Sequence, residues 1–167
     1  MDAAALRELQ RPLKEQYRSD AAAALVTLRA EGALDDGEVA CSVHTGRALV
    51  EAGLHPATGG DGSLACSGDM LLQALVACAG VTLRSVATAR GLDVAGIVRA
   101  EGDLDFRGTL GVDRSAPVGF RAVRLFFDLT SESASEEDLD ALIETTKRYC
   151  VVYQTLAESP ALEVSRN

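Results

Sequence analysis

Four cysteines, Cys41, Cys66, Cys78 and Cys150, and two histidines, His44 and His55, are the residues of this chain whose types invite chemistry. Thiolate and imidazole are the preferred ligands of zinc, but the spacing argues against a zinc site. There is no Cys-x2-Cys pair, and the histidines stand eleven residues apart in different elements. Serine hydrolysis fails for want of a Gly-x-Ser-x-Gly elbow. The glycine-rich stretch Gly59-Gly60-Asp61-Gly62 lacks the Gly-Lys-Ser/Thr ending that cradles a nucleotide phosphate, and reads as a connector. Thiol chemistry remains. A cysteine reacts as thiolate, so a reactive one must have its pKa pulled below the free value of about 8.5. Local rules favour Cys66, just before the start of a long apolar helix. Cys78 lies about three turns further in, beyond the reach of the helix dipole, and needs a cation from elsewhere in the fold.

Any single cysteine is most simply read as a small buried hydrophobe, and Cys41, on the core side of a strand, fits that reading. The pair Cys78 and Cys150 does not dissolve so easily, because each falls on the buried face of a different helix. Two helices side by side on one sheet could bring those sulfurs within bridging distance.

The elements that must position these thiols are legible in the pattern. Leu6, Leu9 and Leu13 among charged residues predict an amphipathic helix over Asp2 to Tyr17, with Pro12 as a perturbation. Alternation predicts a strand from Leu25 to Glu31, an Asp-Gly turn at Asp36-Gly37, and a partner strand through Val39, Cys41 and Val43. A third strand is expected over Arg47 to Ala52. From Asp69 to Arg90 the chain is apolar nearly all the way round, which predicts a central, buried helix with Ser67 as N-cap and Gly91 as C-terminal stop. Strands are expected from Ile97 to Arg107 and from Arg121 to Thr130. A second strong helix opens at Ser135, ahead of Glu136, Glu137 and Asp138. Its apolar face runs through Leu139, Leu142 and Ile143 to Cys150, eleven residues or about three turns after Leu139. Lys147 and Arg148 suit the end of a first helical section, and Pro160 precedes a short last strand over Leu162 to Ser165. This order implies an α+β domain with a mostly antiparallel sheet and two main helices on one face.

At 167 residues and 47% hydrophobic, the chain has the material for one globular core. Its 25 acidic against 16 basic side chains, a net charge of −9, disfavour nucleic acid and anionic membrane surfaces as partners. No uninterrupted apolar run reaches a bilayer-spanning length and the N-terminus lacks a secretory pattern, so a cytoplasmic location is expected, where ordinary thiols stay reduced.

The stretch Gly59-Gly-Asp-Gly-Ser-Leu-Ala-Cys-Ser-Gly-Asp-Met-Leu-Leu-Gln-Ala-Leu-Val-Ala-Cys78-Ala-Gly-Val-Thr82 resembles the signature of the OsmC/Ohr family of thiol-dependent peroxidases, Gly-Pro-Ser-Pro-x-Glu-Leu-Leu-Leu-Ala-Ala-Leu-x-x-Cys-x-x-x-Thr. Cys150-Val-Val-Tyr-Gln-Thr-Leu156 is similar to its Cys-Pro-Val-x-x-x-Leu. The similarity extends over roughly residues 24 to 166, setting residues 1–22 apart as a helical extension to a domain of 23–167. The resemblance implies an intertwined homodimer that reduces organic hydroperoxides. Cys78 would be the peroxidatic thiolate, Cys150 the resolving thiol, and an external dithiol, in the family commonly a lipoyl group, the reductant, with no metal or flavin. Asp69, matching the signature Glu, would anchor an activating guanidinium. Arg18, Arg29 and Arg47 are available for that guanidinium, with Arg47 the first choice. Ser67, Asp69 and Val151 depart from the signature's Pro, Glu and Pro. Alternative readings of the same fold are a non-enzymatic small-molecule carrier and a redox sensor.

Overall fold

A computed structural model of the chain describes residues 3–34, 41–43 and 52–166, with side chains for 8, 10–27 and 52–166. In chain order the elements are helix α1 (Ala3–Ser19), strands β1 (Leu25–Leu34), β2 (Cys41–Val43), β3 (Ala52–Gly53) and β4 (Ala65–Cys66), helix α2 (Ser67–Arg90), strand β5 (Ala95–Asp105), the single-turn helix α3 (Phe106–Thr109), strand β6 (Ala122–Thr130), and helices α4 (Glu136–Tyr149) and α5 (Val151–Ala157). One sheet has the order β2-β1-β5-β6, and β3 and β4 form a short parallel pair. The predicted first hairpin is present: β1 and β2 run antiparallel, with Leu34 opposite Cys41 and Gly32 opposite Val43. Its turn, and all but the last residue of the strand expected over Arg47 to Ala52, lie outside the described residues.

The second hairpin is antiparallel too. The Arg121 N–H donates to Asp103 O at 2.8 Å, while seven residues earlier Gly96 presses on Asp128, at a place where an added Cβ would meet the Asp128 carbonyl oxygen. Gly96 also has φ +144°, so a side chain there is excluded twice over.

The described residues divide into two compact units. One is drawn from Met1–Glu31, His44–Gln73 and Arg99–Phe126, the other from Gly32–Val43, Ala74–Val98 and Phe127–Asn167. In the first, Tyr17 near the end of α1 is buried and its hydroxyl donates to Ala57 O at 2.6 Å, while the Gln10 amide reaches Thr58 O at 3.2 Å. This docking offsets Pro12, which sits inside α1 at a cost of roughly 3 kcal/mol for a helix interior. Ala100, Leu104 and Phe106 are buried with Tyr17 and Leu72. On the outward side of β5, Arg124 of β6 bridges Glu101 at 3.2 Å and Asp103 at 2.6 Å, and the Thr27 hydroxyl donates to Asp103 at 2.7 Å. The strand expected to reach Arg107 stops at Asp105, because the Asp105 carboxylate accepts the Arg107 N–H and also pairs with its guanidinium at 2.6 Å, turning the chain into α3.

In the second unit, Leu75, Val76, Ala79, Leu83 and Ala87 of α2 are fully buried together with Val94, Val98, Leu142, Thr146 and Cys150. α2 ends as expected. Gly91 has φ +67°, its N–H donates to Thr88 O, and the Leu92 N–H donates to Ala87 O. Ser135 caps α4 in a reciprocal arrangement with Asp138.

Four expectations need correction. Helix α2 begins at Ser67, so the preceding position belongs to Cys66 and Ser67 is not the cap. α2 is not buried all round: Met70, Leu71, Ala74, Val81 and Ser85 are exposed, a stripe along one side that apolar composition alone could not distinguish from core. Five α-helices, not the three expected, occur among the described residues, the added ones being the short α3 and α5. Residues 158–166 contain no strand, so the one expected over Leu162 to Ser165 is absent. By length and composition α2 would also suffice to cross a membrane, although no uninterrupted apolar run does; 44% of its most apolar window is buried inside the protein.

Candidate active site

Cys78 and Cys150 come together in the second unit. Cys78 is carried by the middle of α2. Cys150 is not inside a helix, as its spacing from Leu139 suggested, but is the single residue between α4 and α5. Its backbone turns to φ −73° and ψ 108° while its N–H closes α4 on Thr146 O at 2.8 Å. Cysteine is not among the usual capping residues, and no Gly or Pro marks the break, which is why periodicity ran the helix through it. The turn points the Cys150 sulfur back over the start of α5, where it accepts the Tyr153 N–H at 3.4 Å. Cys150 has 0% of its surface exposed; Cys78 is half-buried.

The two sulfurs are in opposite electrostatic situations. Burial alone would push the Cys78 thiol up. Against this, the sulfur accepts hydrogen bonds from the Val152 N–H, the Cys150 thiol, the Val151 N–H and the Thr82 hydroxyl, and together these hold it below the ordinary thiol value. Cys150 is pushed up to about 11, first by burial, and further because its proton is the one donated to Cys78. Of the two, Cys78 is the readier to ionise and Cys150 the one that keeps its proton. Thr82 stands one turn after Cys78 on the same helix face. It lay within the motif quoted above but was given no part there; the i, i+4 spacing of Cys78 and Thr82 was the available signal.

Asp69 lies in the first turn of α2, half-buried, and burial raises its carboxyl above the usual range while the charge of His55 opposes the shift. His55, which sequence reasoning weighed only as a metal ligand, is fixed in the first unit. Its Nδ1 accepts the Ala57 N–H at 3.0 Å, and its ring stacks on Phe106 with centroids 5.0 Å apart. Arg47 and the side chain of Arg29 lie outside the described residues, and Arg18 is exposed in the last turn of α1. Among the described residues, the groups that lower Cys78 are dipoles, not guanidinium groups. Cys66 is a half-buried free thiol in β4. Among the described residues, no group of three or more His, Cys, Asp and Glu side chains could hold a metal ion.

A readily ionised thiol beside a second, protonated thiol is an arrangement that can be oxidised and then closed to a disulfide. The sequence model of the family described as "OsmC-like protein" matches residues 60–165, more than half of the chain and inclusive of both cysteines. No curated protein matches significantly. Among solved structures, an OsmC-like hydroperoxide resistance protein from Jannaschia sp. CCS1 has the same fold, with a TM-score of 0.54 at 19% identity over 86% of this chain and 97% of that one.

Proposed function

The chain belongs to the OsmC-like family, and from that premise we propose that it is a thiol-dependent peroxidase reducing organic hydroperoxides to alcohols. In the first step the Cys78 thiolate attacks the distal peroxide oxygen. An S–O bond forms as the O–O bond breaks, sulfur gives up two electrons, and the alkoxide takes a solvent proton and leaves as the alcohol. The Cys150 thiol then attacks the sulfenic acid sulfur, forming the Cys78–Cys150 disulfide and releasing water. An external dithiol, such as a lipoyl group, reduces that disulfide by two exchange steps and departs as its own disulfide. Arg47 supplies the guanidinium that receives the developing alkoxide charge, and Asp69 holds that guanidinium, roles carried by the resemblance.

The reading is supported by two neighbouring thiols that act on each other's protonation, Cys78 held below the ordinary thiol pKa and Cys150 above it. The hydroperoxide resistance activity in the description of the Jannaschia protein supports the substrate class. The apolar side chains that neighbour Cys78 on α2 favour bulky organic peroxides over hydrogen peroxide.

The same proposal includes a homodimer. Taking about 100° per residue, Met70, Ala74, Val81 and Ser85 lie within about 60° of one another on α2, and Cys78 borders that stripe. Met70, Leu71 and Val81 remain 36–39% exposed in the single chain. A second copy covering this stripe would exclude water from beside the reactive sulfur.

Cumene hydroperoxide consumption with dihydrolipoamide as reductant tests the reading. Wild type turns over; Cys78→Ser is inactive; Cys150→Ser consumes one equivalent and accumulates a sulfenic acid that dimedone traps. Unchanged turnover in Cys78→Ser would remove the peroxidase reading and leave passive binding. A Cys78 that oxidises without catalytic turnover would leave redox sensing.

A further inference from the structure

Three arginines, Arg107, Arg121 and Arg124, lie among the carboxylates of the first unit, and two of them are committed. Arg124 bridges Glu101 and Asp103, and Arg107 bridges Asp105 at 2.6 Å and Asp113 at 3.3 Å. Arg121 is different. It is exposed just before β6, and among the described residues no carboxylate stands within ion-pair distance of its guanidinium. Only its main-chain N–H is engaged, on Asp103 O at 2.8 Å.

The carboxylates nearby are already occupied. The two oxygens of Asp103 accept from Arg124 at 2.6 and 3.0 Å, and one of them also accepts the Thr27 hydroxyl at 2.7 Å. These bonds hold Asp103 ionised, well below the ordinary carboxyl range. Asp105 accepts both the N–H and the guanidinium of Arg107.

Arg121 and Asp103 line a cleft of about 300 Å³ with Leu25, Val26, Thr27 and Ala122, where β1 and β6 begin and β5 ends. That volume is at the lower end for small-molecule sites. The polar wall offers a ligand one uncommitted cation. The apolar wall offers Leu25, 47% exposed, beside Val26 and Ala122. A planar guanidinium matches a carboxylate with two parallel hydrogen bonds, and the apolar wall takes a hydrocarbon chain out of water. Inorganic phosphate would use the first wall and leave the second bare. A polyanion is disfavoured by the net charge of −9.

We propose that this cleft binds a short-chain monocarboxylate, with the carboxylate on Arg121 and the hydrocarbon chain on Leu25, Val26 and Ala122. The cleft lies wholly in the first unit, whereas Cys78 and Cys150 belong to the second, so the proposal stands or falls without the peroxidase reading.

Sodium hexanoate titrated into the 15N-labelled full-length protein, with no peroxide present, tests it. Saturable amide shifts are expected at residues 25–27, 103, 121 and 122 and their neighbours. Arg121→Gln removes the charge without breaking an ion pair, and should weaken hexanoate by about tenfold or more. In the wild type, 1-hexanol, with the chain but no charge, and inorganic phosphate, with charge but no chain, should each bind about tenfold more weakly than hexanoate. Equal affinity of hexanoate for wild type and Arg121→Gln overturns the proposal. So does phosphate binding as tightly as hexanoate, which would make Arg121 a general anion contact. Should Arg121→Gln fail to fold, the wild type decides: hexanol matching hexanoate, or shifts scattered away from the cleft, overturns the proposal.

Discussion

Cys78 and Cys150 share one hydrogen bond and yet are held on opposite sides of the ordinary thiol pKa, a difference produced by the donors that surround one and the burial that surrounds the other. The pH dependence follows from the signs. With Cys78 lowered, the rate of its oxidation rises through an inflection below the ordinary thiol range and then levels off; with Cys150 raised to about 11, no second inflection interrupts that plateau. Stopped-flow oxidation of the reduced protein from pH 5 to 10 measures this, and a rate still climbing at pH 9 would contradict it. Thr82→Val keeps the shape of the side chain and removes its donor. A hydrogen bond to a charged acceptor is worth roughly 1.5 kcal/mol, so the rate at pH 7 should fall about tenfold, with the loss shrinking at alkaline pH as Cys78 ionises regardless. A loss independent of pH would instead indicate damaged packing. At this scale the paired thiols were legible because cysteine type and helix spacing survive in sequence. The donors that tune them were not, since three are backbone amides with no residue signature and the fourth is a threonine that periodicity treats as filler.

Helix α5 has seven residues, none buried, and its first-turn donors end on sulfur. So short a helix has little propagation energy of its own and depends on its cap. Closing the Cys78–Cys150 disulfide removes the thiolate charge and leaves weaker acceptors for the N–H groups of residues 151–153. Hydrogen exchange should therefore be faster over 151–157 in the oxidised than in the reduced protein, with α4 unaffected; equal protection in both states would refute the coupling. α4 owes its start to a different device: Ser135→Ala removes one half of the Ser135–Asp138 cap and should cost about 1 kcal/mol in chemical denaturation. That cap was readable from Ser135 and the acids behind it, as the end of α2 was from Gly91. The break at Cys150 was not, because its cause is a sulfur acting as cap acceptor. Nor was the end of β5, where alternation continues through Phe106 but Asp105 captures the Arg107 N–H and ends the strand. Period and composition specify where elements lie; a single side chain competing for backbone hydrogen bonds decides where they stop.

At the scale of the molecule, the apolar surface left on one chain argues for a partner of the same kind. Residues 158–166 form no strand, yet Leu162 and Val164 are 83% and 99% exposed with Glu163 between them, the alternation of a half-buried strand without a sheet to join. The exposed stripe of α2 is equally apolar and borders Cys78. Full burial of one such side chain contributes about 1.5–3 kcal/mol. Met70, Leu71 and Val81, each a little over a third exposed, would together supply a few kcal/mol per chain before the terminal segment adds its share. Light scattering coupled to size exclusion should give twice the mass of one chain for the wild type. Met70→Glu with Val81→Glu places two charges where apolar surface must be covered and should yield monomers of unchanged helix content. Leu162→Asp with Val164→Asp should weaken the dimer without touching α2. A wild type that remains monomeric at micromolar concentrations would show that the stripe faces solvent, and Cys78 would then work at an open surface, reacting with hydrogen peroxide at least as fast as with cumene hydroperoxide.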